Sequence, residues 1–139
     1  MRQAVAVART STADTSSRFR VGALLVHGGR VVETGCTAEL PGNTHAEECA
    51  LAKLAAGHSG LDLYTTLQPC TTRSSGLKTC TERIVESNLV RRVFVGAGEP
   101  GDFVDNVGYG ALEAAGIEVV IVDDAALADE ALRVARGQT

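Results

Sequence analysis

Thr44-His45-Ala46-Glu47-Glu48-Cys49-Ala50 is the stretch on which the reading of this chain turns. Thr44 can cap a helix running to about Ala56, with Gly57 just past its end. That helix marks the point where a leading hairpin gives way to alternating strands and helices.

Upstream, Met1, Ala4, Val5 and Ala8 recur at helical spacing, and Thr10 to Ser17 is a small, polar loop. Val21-Gly22-Ala23-Leu24-Leu25-Val26 is a short apolar run, as expected of a strand covered on both faces. Gly28-Gly29 is a hairpin signal, Arg30 to Cys36 the returning strand, and Glu39 to Asn43 a turn. Downstream come a strand at Leu63 to Leu67, a helix at Thr79 to Ser87 and a strand at Arg92 to Gly96. A short helix at Val107 to Ala115 stops at Gly116, and Ile117 to Val122 is the last strand. Asp123 or Asp124 can cap a final helix carrying Leu127, Ala131, Leu132 and Val134.

Strands separated by helices need crossovers and therefore run parallel. The expectation is an α/β fold: a three-layer α/β/α sandwich on a five-stranded mixed sheet. Its third, fourth and fifth strands are parallel, and the first hairpin is antiparallel at one side. The 139 residues make one domain, 1–139, with no internal repeat or linker. At 45% hydrophobic but only 4% aromatic, the core must be built from Ala, Val, Leu and Ile. A net charge of -4 argues against a long nucleic-acid surface, which needs clustered Lys and Arg. The start of the chain does not read as a signal peptide, and no apolar run reaches transmembrane length. The expected setting is therefore cytoplasmic, away from membranes, where Cys36, Cys49, Cys70 and Cys80 point to metal binding before disulfides.

Taken singly, the motif residues have plain explanations. Thr44-x-x-Glu47 matches a capping box, His45 can be an ordinary first-turn residue, and each Cys a small buried hydrophobe. The combination says more. His45 and Glu47 open one helix, Cys70 follows Pro69 after a strand, and Cys80 lies at the start of the next helix. Two helix N-termini facing one point favour thiolates there. One imidazole and two thiolates are a three-ligand set for Zn2+ that leaves a position open. Glu47 is then free to carry protons. Zinc deaminases combine H-x-E with P-C-x-x-C. This chain has His45-Ala46-Glu47 and Pro69-Cys70, but nine residues separate Cys70 from Cys80. In that insert, Arg73 and Lys78 can hold a phosphate and Gly76 can allow a tight turn.

With these residues the sequence resembles the cytidine-deaminase superfamily, and within it the pyrimidine deaminases of riboflavin biosynthesis, the fungal-type branch especially. The resemblance is carried by Glu39-Leu40-Pro41-Gly42-Asn43-Thr44-His45-Ala46-Glu47 and by Tyr64-Thr65-Thr66-Leu67-Gln68-Pro69-Cys70. The Arg73-Ser74-Ser75-Gly76 insert before Cys80 continues it. It implies a cytidine-deaminase-like fold, with His45, Cys70 and Cys80 as zinc ligands and Glu47 as general acid and base. It implies hydrolysis of a ring amino group on a phosphorylated diamino-pyrimidinone bearing a ribosylamino or ribitylamino chain. It also implies Asn43 and the backbone near Ala46 as ring contacts, and assembly as a homodimer or homotetramer. Gln68 stands where the family usually has Glu, which puts substrate contacts in question. The bacterial enzymes also carry a reductase domain, for which 139 residues have no room, so the expectation is either a separate reductase protein or service in another pathway, such as a secondary-metabolite branch.

Two other readings stay open. One is a deaminase of another base, nucleoside or nucleotide, of the cytosine, cytidine or guanine type. The other is a non-catalytic module with a closed structural zinc, for which Cys49 is the nearby fourth ligand.

Overall fold

The computed structural model describes residues 1–98 and 107–138. Helix α1 (Arg2–Ala8) leads into the antiparallel hairpin β1 (Gly22–His27) and β2 (Arg30–Cys36). Then follow α2 (Ala46–Lys53), β3 (Leu61–Leu67), α3 (Cys80–Ser87), β4 (Val90–Ala97), α4 (Val107–Ala114), β5 (Glu118–Ile121) and α5 (Ala125–Ala135). One five-stranded sheet has the order β2-β1-β3-β4-β5. β3 pairs antiparallel with β1 and parallel with β4, and β4 pairs parallel with β5. The mixed α/β sandwich expected from the alternation of strands and helices is the one observed.

The layers follow from the two apolar clusters. One face of the sheet packs Leu25, Leu63, Val93 and Val95 against Ala46 and Ala50 of α2, Ile84 of α3 and Leu112 of α4. A second cluster packs Leu67 and Ala97, at the C-terminal ends of β3 and β4, against Val5 and Ala8 of α1 and Leu127, Ala131 and Val134 of α5. Small side chains let these layers come close. A Cβ on Gly22 would meet Ala4 O of α1 at 2.1 Å, and one on Gly35 would meet Ala46 O of α2 at 2.3 Å. Gly35 is thus the seat on which the first turn of α2 rests.

Several boundaries differ from the sequence expectation. α2 does not begin at Thr44: His45 is the N-cap, and the Thr44 hydroxyl instead donates to Leu40 O at 2.7 Å. The helix stops at Lys53, short of Ala56, because Leu54 turns to an extended ψ of 130°. β3 starts earlier than Leu63, since Leu61 is fully buried and its N–H bonds Leu89 O at 2.8 Å. Of the two aspartates offered for the last helix, Asp124 is the cap, its Oδ1 accepting the Leu127 N–H at 3.0 Å.

Candidate active site

The site forms where the N-termini of α2 and α3 meet the C-terminal end of β3. His45 holds its backbone extended at φ -99° and ψ 163° as the cap of α2. Its N–H is accepted by Glu48 Oε1 at 3.1 Å, the reaching-back half of a capping box displaced one residue from the expected one. That displacement separates two adjacent glutamates. Glu48 serves the helix end, and Glu47 turns into the protein, where it is only 3% exposed.

Cys70 follows β3, and Cys80 is the first residue of α3, whose cap Thr79 accepts the Glu82 N–H. The Cys70 carbonyl accepts both the N–H (3.2 Å) and the hydroxyl (2.9 Å) of Thr81, so the strand exit is tied to the helix start. These ties bring His45 Nδ1 to 3.6 Å from Cys70 Sγ and 3.4 Å from Cys80 Sγ. The three ligand atoms all lie within 4.8 Å of one another. One imidazole nitrogen and two sulfurs converging this closely fit zinc in a site with an open position. Neither Glu47 nor Cys49 belongs to this group, although Cys49 is fully buried. Cys70 is held far below the ordinary thiol range, to about 4, by the Cys80 thiol, His45 and the Cys80 N–H at 3.2 Å. The Cys80 thiol is pushed up, by its bond to Cys70 and by burial.

Glu47 lies beside this group without belonging to it. Burial pushes its carboxyl above the usual range, and the Thr65 hydroxyl opposes the shift. Thr65 is fully buried on β3, with Oγ1 at 2.7 Å from Glu47 Oε1 and at 2.9 Å from Leu67 O. One hydroxyl proton faces two acceptors, so Thr65 can donate to an ionised Glu47. It can equally donate to Leu67 O while accepting from a protonated Glu47. Both arrangements use the same heavy-atom positions.

A cavity of about 800 Å³ opens over His45, Ala46, Glu47 and Cys70. Asn43 lines it, as do Phe19, Gln68 and Arg73. Asn43 is held from two sides: Arg18 Nη1 donates to its Oδ1 at 3.1 Å, and Arg73 Nη2 donates to its carbonyl. Arg73 also bonds Glu48 Oε1 at 2.9 Å and Lys78 O at 2.9 Å, and its side chain is 2% exposed. Burial raises the Glu48 carboxyl, but the His45 N–H and Arg73 outweigh it and hold the group below its ordinary range. The structure does not bring Lys78 to this cavity. Lys78 lines a shallower cleft with Glu48 and Arg83, and its Nζ pairs with Glu86 at 2.6 Å. Phe19 lines the cavity but its neighbour Arg20 does not: the Arg20 Nε donates to Ala13 O at 3.0 Å. Sequence reasoning missed Arg18 and Thr65. Arg18 carries no local motif, and Thr65 reads as an ordinary strand threonine.

Comparison with known proteins agrees with this geometry. The chain is 40% identical over 126 residues to the diaminohydroxyphosphoribosylamino-pyrimidine deaminase of Schizosaccharomyces pombe, covering 87% of this chain. It spans only about 30% of that relative's length. The Aspergillus oryzae Rib2 deaminase (a C-terminal deletion mutant at pH 6.5) superposes with a TM-score of 0.85 at 33% identity, covering 98% of this chain and 88% of that one. A second structure of that enzyme, in complex with DARIPP, gives the same TM-score of 0.85 at 33% identity, covering 98% of this chain and 87% of that one. The family model described as the cytidine and deoxycytidylate deaminase zinc-binding region matches residues 1–97, and the chain belongs to that family.

Proposed function

We infer that the chain is a zinc-dependent aminohydrolase. Its substrate is a phosphorylated diamino-pyrimidinone with a ribosylamino or ribitylamino chain, and its pathway is riboflavin biosynthesis or a related one. The observation that carries the reading is the buried Glu47 carboxyl beside the converging His45, Cys70 and Cys80, at the floor of a cavity large enough for a nucleotide-sized ligand. The DARIPP complex of the Aspergillus oryzae enzyme supports the choice of substrate class.

His45, Cys70 and Cys80 would hold zinc, which when bound would supply an acidified water as the nucleophile. Glu47 then moves two protons: it takes one from the attacking water and delivers it to the ring nitrogen, then takes the other from the hydroxyl now on the ring carbon and hands it to the departing amine. Thr65 keeps that carboxyl aimed through both protonation states. The Ala46 N–H lies in the first turn of α2, where helices leave N–H groups without intrahelical partners, and it can meet a ring carbonyl. Asn43, its Oδ1 engaged by Arg18, turns its amide donors to the ring. The same reading has the enzyme working in the cytoplasm as a homodimer or homotetramer. Among the described residues no helix is long and apolar enough to cross a membrane.

The test is ammonia release by zinc-loaded protein on the two phosphorylated diamino-pyrimidinones, cytosine, cytidine, deoxycytidylate and guanine. Turnover of a diamino-pyrimidinone alone is expected. Turnover of only the other compounds discards the pathway and keeps the hydrolytic mechanism.

A further inference from the structure

We propose that Arg18 carries the charge that selects an anionic substrate tail, forming a phosphate subsite at the mouth of the cavity with the hydroxyls of Thr72 and Ser74. The proposal rests on the deaminase reading for the identity of the ligand, and on the distribution of charge for the site itself.

Arg18 and Arg73 are the arginines that line the cavity. Arg73 has little left to offer. Glu48 offsets its charge at 2.9 Å, two carbonyls take its terminal N–H groups, and what remains without a partner is a buried Nε–H. Lys78 points to another cleft and is paired with Glu86. Arg18 differs on each count. Among the described residues no carboxylate lies within ion-pair distance of it, and its one hydrogen bond goes to a neutral acceptor, Asn43 Oδ1. A guanidinium has five N–H donors in a planar fork, so most of its capacity is free for a bidentate phosphate contact. Asp14 feels the Arg18 charge, but its carboxylate is occupied by the N–H and hydroxyl of Ser16. Thr72 and Ser74 line the same cavity, and their hydroxyls make no hydrogen bond among the described residues. Through Asn43, Arg18 is joined to the segment that carries His45. The guanidinium thus lies beside the residue proposed to meet the ring, within reach of a tail that leaves the ring on that side.

Two measurements test this. The first compares kcat/KM for a phosphorylated diamino-pyrimidinone and its dephosphorylated form in wild type, Arg18→Gln and Arg18→Lys. Gln can still donate to Asn43, so the ratio between the two substrates isolates the phosphate. The ratio is expected to fall about ten- to a hundredfold in Arg18→Gln, mainly through KM, with partial recovery in Arg18→Lys. The second titrates ribose 5-phosphate into zinc-loaded protein by calorimetry and does not depend on turnover. Wild type is expected to bind, and Arg18→Gln to lose binding. An unchanged ratio and unchanged binding in Arg18→Gln, or a defect in Lys78→Gln in its place, overturns the assignment. Arg18-dependent binding of ribose 5-phosphate without turnover of either pyrimidinone sustains the subsite and overturns the substrate.

Discussion

Glu47 Oε1 and Thr65 Oγ1 lie 2.7 Å apart, one on α2 and the other on β3, with both side chains closed to solvent. A carboxyl that must take and give protons without losing its aim needs a partner able to accept as well as donate. Replacing Thr65 with Val keeps the shape and removes that partner. The variant is expected to fold and hold zinc normally, with kcat reduced about tenfold or more. Thr65→Ser restores the hydroxyl and most of the rate. Equal kcat in Thr65→Val and wild type would reduce Thr65 to a packing residue.

Glu48 joins three groups: the His45 N–H, Arg73 at 2.9 Å and Arg83 at 3.1 Å. Glu48→Gln leaves the nearly buried Arg73 guanidinium without a counter-charge. A loss of about 2 kcal/mol of stability is expected, read by denaturant titration. The insert between Cys70 and Cys80 should become the site of first cleavage in limited proteolysis. A variant as stable as wild type would place Arg73 in solvent.

Gly35→Ala puts a Cβ within 2.3 Å of Ala46 O and 2.6 Å of Ala50 N. Backbone cannot yield there without lifting the first turn of α2. The expected cost is about 1–3 kcal/mol, together with weaker zinc retention in a chelator competition. Normal zinc affinity would mean that β2 moves and the helix does not.

Cys49 is fully buried but outside the ligand group. Cys49→Ala is expected to keep one zinc per chain and to cost about 1 kcal/mol through a small cavity. Loss of zinc in this variant would revive a closed, structural metal site.

Most of the fold was legible because the apolar runs are short, unmixed and bounded by glycines, as at Gly28-Gly29, where both residues adopt positive φ (57° and 79°). His45, Cys70 and Cys80 could be grouped because helix starts and a strand end are predictable places. The start of α2 was harder. Thr44-x-x-Glu47 satisfies the capping pattern in sequence, yet the folded helix uses His45 and Glu48, one residue on, and leaves Glu47 to the interior. Lys78 was misplaced because closeness to Cys80 in sequence does not fix which cleft a side chain enters. Arg18 acts across 25 residues of sequence, with nothing local to announce it.

The ligand group spans 35 residues, from His45 to Cys80. Helix α2 and strand β3 lie inside that span, α3 begins at its far end, and β4 and β5 lie outside it. Metal capture therefore closes a large ring in the middle of the chain, and it can do so before the last two parallel strands have docked. During synthesis the ion would act as an early clasp, shrinking the conformational search of the half that emerges first. Cells short of zinc should then show slower maturation of this chain, as well as less of the loaded form.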